Sequence, residues 1–286
     1  MRYDIRMLVT DLDGTLISEE NSISEENLRA LHQVREMGII VALCSGRDPK
    51  NVSDIALAAA LDDVSIIALN GAVALDRPLG VTLEDHRISG IAAQSCLDIL
   101  LQQTGDLQLY AGETWLSMSL SAKARSARPL TMAASQQVDS PPLDKDSNFQ
   151  QYIYNMAAFG LNKILYSEMD HPERLRAVRN ALSLIPGIEI ASSWFTNIEI
   201  MPTGVNKGVA VRSLAQRLGV RMDQVMAFGD NDNDASMLSQ VGYGIAMGNA
   251  ADSARSAARY TTDTSGRNGV AKGLERFLFL QERPSA

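Results

Sequence analysis

The sequence predicts an α/β protein: a parallel-sheet core with an α+β segment inserted into its middle. Three observations predict it. Short apolar runs without polar alternation, such as Met7-Leu8-Val9-Thr10, Ile39 to Leu43 and Val64 to Leu69, read as strands covered on both faces. Helical patterns separate them, which spells parallel units with right-handed crossovers. From about Glu84 the rhythm changes to a helix, a hairpin and further mixed elements, and the first rhythm resumes near Asn206. The 286 residues suffice for two domains, expected at 1–84 with 196–286 for the discontinuous core and at 85–195 for the insert.

Taken in order, Met7 to Thr10 is the first strand, and it runs into Asp11-Leu12-Asp13-Gly14-Thr15. Ser24 is an N-cap, followed by two acids in the first turn, and Leu28, Leu31 and Val34 form the stripe of a helix that Gly38 ends. The second strand, Ile39 to Leu43, opens into Cys44-Ser45-Gly46-Arg47, and Asp48-Pro49 starts a helix with proline at its first position. The third strand closes at Asn70-Gly71. In the insert, Ile88 to Leu101 is helical and Leu107–Tyr110 pairs with Thr114–Leu116 as a hairpin. The Ser/Ala/Gln/Pro-rich stretch from Ser119 to Gln150 is expected as helix then loop, with Pro141-Pro142 as a break. Leu161 to Tyr166 is a strand, Pro172 to Ile185 an amphipathic helix, and Ile188–Ile190 and Asn197–Ile200 strands. Asn206 then caps a helix beginning at Lys207, Val225 to Phe228 and Tyr243 to Met247 are strands, and Gly269 to Phe279 is a closing helix.

Composition bounds the partners. A net charge of −8 argues against a nucleic-acid surface, which needs a basic stripe. No apolar run approaches the ~18 residues of a membrane span. The chain begins without a basic-then-apolar leader, and two cysteines in apolar segments, Cys44 and Cys96, suit a reducing compartment, so a cytoplasmic protein is expected.

The chemistry concentrates at strand ends. Asp11 and Asp13 stand two residues apart where a buried strand opens, and two such acids repel unless a cation or reacting group lies between them. Asp230 to Asp234 packs three carboxylates into five residues after another strand. Lys207 occupies a helix start, where the dipole disfavours a cation. Singly, each has a plain structural reading: Asp and Gly form turns, Ser45-Gly46 caps one, and lysines are solvated. Together they fall at the C-terminal edge of one sheet, where ligands of open α/β sheets bind. Acids from two loops suit a hard cation such as Mg²⁺, and Ser45, the Gly46 amide and Lys207 suit phosphate oxygens. One acid of the pair can attack a phosphoryl group while the other moves a proton. Gly242-x-Gly244-x-x-x-Gly248 is one residue too long for a dinucleotide loop, and Cys44, with no adjoining histidine, reads as a buried structural thiol.

Asp11-Leu12-Asp13-Gly14-Thr15-Leu16, Ser45-Gly46-Arg47, Lys207-Gly208 and Gly229-Asp230 with Asn233-Asp234 resemble the four ordered motifs of the haloacid dehalogenase-like superfamily. Asn70-Gly71-Ala72 and the position of the insert resemble its Cof-type phosphatases, whose Rossmann-like core carries a large type-two cap. The resemblance runs over essentially the whole chain. It implies Asp11 as nucleophile and Mg²⁺ ligand, Asp13 as acid–base with its carbonyl on the metal, and Asp230 as a further ligand supported by Asp234. Ser45, Gly46, Lys207, Asn233 and the Leu12 amide would hold phosphate. It implies no firm role for Arg47, and Asn231 stands where many relatives have glycine. The activity so implied is Mg²⁺-dependent hydrolysis of phosphate monoesters of small metabolites through an aspartyl-phosphate, the cap choosing the substrate. A sugar phosphomutase and a non-enzymatic phosphometabolite sensor are the alternatives, and oligomeric state is not legible. Tyr110, Trp115 and Trp194 are expected to pack within the insert.

Overall fold

Met7–Thr10 (β1) is buried at every residue and paired on both edges, which makes it an inner strand of the larger sheet. The computed structural model describes residues 4–18, 22–76, 81–112, 114–120, 131–133 and 148–281. After β1 come α1 (Glu25–Glu36), β2 (Ile40–Cys44), α2 (Pro49–Ala58), β3 (Ser65–Ala68), β4 (Val73–Leu75) and β5 (Thr82–Asp85). The middle of the chain supplies α3 (Gly90–Leu100), β6 (Asp106–Ala111), β7 (Thr114–Ser119), β8 (Thr131–Ala133), α4 (Asn148–Ala158), β9 (Lys163–Ser167), α5 (Leu175–Leu182), β10 (Ile188–Ala191) and β11 (Asn197–Pro202). The last part forms α6 (Lys207–Arg217), β12 (Val225–Gly229), α7 (Ala235–Gln240), β13 (Tyr243–Ala246), α8 (Asp252–Ala257), β14 (Tyr260–Thr261) and α9 (Gly269–Phe277).

By its internal contacts the chain forms two compact units, Met1–Glu84 with Asn206–Ala286, and Asp85–Val205. The first holds a sheet of order β14-β13-β12-β1-β2-β3-β4-β5. β1 pairs in parallel with β2 on one side and β12 on the other. Strand order therefore reverses at β1, the switch point where a crevice forms outside the strand ends. Met7, Val9, Ala42, Cys44, Val225 and Ala227 pack on one face against Val211 and Leu214 of α6 and Leu238 of α7. Phe228 lies on the opposite face, so close to Gly273 of α9 that a Cβ there would meet its ring at 2.5 Å.

The capping chemistry explains where helices begin. Ser24 accepts the amide of Asn27 and Asp48 that of Asn51, with Pro49 at the first turn of α2. The stripe of α1 is rotated from the expected one: Leu31 and Val34 are buried, Leu28 is half-buried, and Asn27 and Ala30 take the inner face. Asn27 is turned inward because its Oδ1 accepts the Ala271 amide at 3.0 Å, tying α1 to α9. β4, β5, α7, α8 and β14 have no counterpart in the sequence expectation; each is too short for a periodic signal.

The second unit carries a sheet of order β10-β11-β9-β6-β7-β8. Leu107, Leu109, Leu116, Ile164 and Ile198 of its strands pack with Leu97 of α3, Ile153 of α4 and Val178 of α5. The expected boundary at 195/196 is corrected to Val205/Asn206, because β11 pairs antiparallel with both β9 and β10. An Asn197–Ile200 strand read without its partners is equally compatible with either unit. Helix-then-loop over Ser119 to Gln150 is also corrected: Thr131–Ala133 is a strand on β7, and Asn148 already begins α4. Pro141-Pro142 lies outside the described residues. Tyr110 and Trp115 do pack, paired across the hairpin with stacked rings 6.3 Å apart. Trp194 does not; it is 59% exposed beside Phe195. The Asn197 side chain accepts the amides of Ser193 and Trp194, each at 3.2 Å, and this turn carries the two rings outward.

Candidate active site

The C-terminal ends of β1, β2 and β12 share one edge, since the three are parallel neighbours. Asp11 follows β1, Ser45 follows β2, and Asp230 follows β12. Lys207 reaches the same place from the first turn of α6. Its Nζ donates to Asp11 Oδ1 and to Asp234 Oδ1, both at 2.6 Å, and the side chain is 1% exposed. A cation at a helix N-terminus is unfavourable alone; two buried carboxylates supply the compensating charge.

Asp234 is fully engaged. Its Oδ2 accepts the amides of Asp230 at 2.9 Å and Asn231 at 3.0 Å, while Oδ1 takes Lys207. That return of the side chain onto the strand end requires Gly229, where a Cβ would sit 2.6 Å from the Asp234 Cβ. Asp230 is held by Thr15 Oγ1, which donates to its Oδ1 at 2.7 Å. Gly14, at φ +79°, permits this approach, because a Cβ would lie 2.3 Å from Asp230 Oδ2.

Carboxylate oxygens of Asp11, Asp230 and Asp234 lie within 4.8 Å of one another. Burial, then the neighbouring Asp234, push the carboxyl of Asp11 well above the ordinary range and that of Asp230 up to about 7. Burial by itself would lower the Lys207 ammonium, but Asp11 and Asp234 outweigh it and hold it well above its usual value. Three buried carboxylates thus face one ammonium. A divalent oxygen-seeking cation fits that deficit. Asp11 Oδ1 and Asp230 Oδ1 each accept one hydrogen bond, and since a carboxylate oxygen has two lone pairs, both side chains keep capacity to ligate it. Asp234, with both oxygens used, supports Lys207 and the loop. Burial pushes the Cys44 thiol up, as suits a structural residue.

The expected phosphate donors Leu12, Ser45 and Asn233 stand on the segments that follow β1, β2 and β12. Ser45 Oγ accepts the Arg47 amide at 3.2 Å, which leaves its hydroxyl hydrogen to donate elsewhere. The Leu12 carbonyl accepts the amides of Thr15 at 3.2 Å and Ile17 at 2.7 Å, closing the loop that follows β1. Asn233 Nδ2 donates to Asn70 Oδ1 at 3.1 Å. Asp13 stands apart from the acidic cluster. Its side chain is 54% exposed, and Arg47 grips it through Nε at 2.7 Å and Nη2 at 2.5 Å. That two-pronged bond raises the Arg47 pKa and fixes the carboxylate plane.

Sequence reasoning placed Thr15 and Asn70 in motifs without giving either a role, and assigned nothing to Asn249. Asn249 Nδ2 donates to the Gly14 carbonyl at 2.8 Å and its Oδ1 accepts the Ser265 amide at 2.9 Å, bracing the first loop from a third one. Its one sequence signal is its place three residues after β13 ends, on the same sheet edge.

An α/β sheet with an acid, a buried lysine and a third acidic loop at its switch point defines a hydrolase of the phosphoryl-transfer kind. The chain belongs to the haloacid dehalogenase-like hydrolases, whose family model matches residues 8–274. Within that superfamily it is an enzyme of the phosphatase group. It is 30% identical to the 5-amino-6-(5-phospho-D-ribitylamino)uracil phosphatase YwtE of Bacillus subtilis, over 96% of this chain and 98% of that one. It is 27% identical to the pyridoxal phosphate phosphatase YbhA of Escherichia coli, over 96% and 98%. A haloacid dehalogenase-like hydrolase structure from B. subtilis superposes with a TM-score of 0.77 at 26% identity, covering 96% of this chain and all (100%) of that one. Among the described residues no helix is long and apolar enough to cross a membrane.

Proposed function

We propose that this phosphatase hydrolyses monoesters of small phosphorylated metabolites through an aspartyl-phosphate on Asp11. The observation that carries the reading is the buried Lys207 bridge between Asp11 and Asp234. It fixes one oxygen of Asp11 and leaves the other to attack. That oxygen forms a bond to phosphorus as the ester P–O bond breaks, and the leaving oxygen takes a proton from Asp13. A water then attacks the acyl phosphate, gives its proton to Asp13, and releases inorganic phosphate with Asp11 restored. Ser45, the Gly46 and Leu12 amides, Lys207 and Asn233 hold the phosphoryl oxygens as charge shifts among them. Asp13 in the grip of Arg47 is placed as an acceptor; donating requires it to exchange the guanidinium for the leaving oxygen.

Asp11 and Asp230, with the Asp13 carbonyl, would hold Mg²⁺, which when bound supplies Lewis-acid stabilisation of the phosphoryl group. The substrate class follows the relatives, which are named for a ribitylaminouracil phosphate and pyridoxal phosphate.

The test is phosphate release from a generic aryl phosphate and a panel of metabolite monoesters, with and without EDTA. Turnover is expected to require added Mg²⁺ and no bisphosphate primer. Asp11→Asn is expected to abolish it; turnover at the wild-type rate in that variant, or indifference to EDTA, would overturn the mechanism.

A further inference from the structure

We infer that Asn70 is a positioning residue that couples two phosphate-binding loops and orients Asn233. It rests on the reading of Asn233 as a phosphate donor, and nothing in the four motifs requires it.

Asn70 follows β3, the next strand beyond β2, which leads into Ser45. It is 1% exposed and left-handed, at φ 58°, as is Leu69 at φ 49°. Two successive non-glycine residues in that region are unfavourable, most of all for a leucine. They persist where surroundings over-determine them, and such strain gathers at sites. Here the surroundings are the second motif. The Leu69 amide donates to the Arg47 carbonyl at 2.9 Å and the Asn70 amide to the Ser45 carbonyl at 3.0 Å. The turn therefore clamps the backbone carbonyls of Ser45 and Arg47.

The side chain reaches the other way. Asn70 Oδ1 accepts Asn233 Nδ2 at 3.1 Å, and Asn233 Oδ1 is buried with no hydrogen-bond partner. Among the described residues Asn70 is thus what decides which way the Asn233 amide points. With one N–H given to Asn70, the amide nitrogen has a second N–H to offer a phosphoryl oxygen. Turned over, the amide would set its oxygen against the Asn70 carbonyl and present an acceptor to phosphate. A side chain with no other tether is free to do so once Asn70 is gone.

Asn70→Gly separates the two jobs of this residue, since glycine keeps the left-handed backbone and its amide while deleting the carbonyl. The experiment measures kcat, KM and competitive inhibition by inorganic phosphate for wild type, Asn70→Gly, Asn233→Ala and the double variant, with melting temperatures as a control on folding. Asn70→Gly is expected to weaken phosphate inhibition and raise KM about tenfold, with kcat changed less. In the Asn233→Ala background it is expected to add nothing, because the group it orients is absent. Additive effects, or unchanged phosphate inhibition in Asn70→Gly, overturn the inference. An inert Asn233→Ala would instead refute the reading of Asn233 itself, so the two failures are distinguishable.

Discussion

Replacing Lys207 by methionine keeps the length of the side chain and removes its charge. In the folded protein the ammonium is 1% exposed and makes two hydrogen bonds of 2.6 Å, to Asp11 and Asp234. Removing one partner of a buried ion pair costs about 3–5 kcal/mol, because the carboxylates left behind stay desolvated. For a domain of this size about 1 kcal/mol moves the melting temperature by about 2–4 °C, so Lys207→Met without metal should melt roughly 6–20 °C lower. The pH dependence has a definite sign. Asp11 and Asp230 have carboxyls raised by burial and by Asp234, Asp230 to about 7. A carboxyl whose folded pKa lies above its unfolded value binds more protons folded, so folding gains as pH falls through the folded pKa. Protonation also removes the charge that Lys207 no longer balances. The gap between variant and wild type should therefore narrow on going from about pH 8 to about pH 6. Scanning calorimetry in EDTA at both pH values checks this. A melting temperature within about 2 °C of wild type at the higher pH, or a gap that widens on acidification, would refute the electrostatic account.

Two further outcomes follow from the same cluster. Gly229→Ala adds a Cβ 2.6 Å from that of Asp234, so Asp234 must withdraw; a stability loss of about 1–3 kcal/mol in chemical denaturation should accompany at least a tenfold fall in kcat, although Gly229 has no chemistry of its own. Wild-type protein should melt higher in Mg²⁺ than in EDTA, by an increment that grows with metal concentration and vanishes in a variant carrying both Asp11→Asn and Asp230→Asn.

Much of the core was legible because local chemistry and fold agree there. A run such as Val225 to Gly229, buried at every residue, has one reading, and Ser24, Asp48 and Asn206 each cap the helix their position predicts. What escaped depends on partners distant in sequence. The boundary at Asn206 turns on β11 finding β9 and β10, which no local pattern encodes. Asn27 looks like a polar interruption of α1 until Ala271 is placed beside it. At the site, residue types were legible and their division was not. Arg47 falls within a recognisable motif but with no role attached, and only the approach of β1 and β2 sets it on Asp13. Asn70 is legible in sequence as the close of a strand and as part of a subgroup pattern, but not by its role, because its left-handed backbone and its grip on Asn233 are both tertiary.

Thr15 and Asp230, joined by one hydrogen bond, are 215 positions apart, and β1 has β12 as its second neighbour. On the ribosome, β1 therefore waits for that partner. At about 5–20 residues per second the interval is roughly ten to forty seconds, during which an apolar strand has one unpaired edge. The insert, Asp85–Val205, is made entirely within that interval and can form its own sheet meanwhile. A nascent chain stopped before Val225 has Asp11 and Ser45 but neither β12 nor Asp230. Premature termination should thus yield aggregation-prone fragments with no partial activity, whichever residue they stop at upstream of that strand.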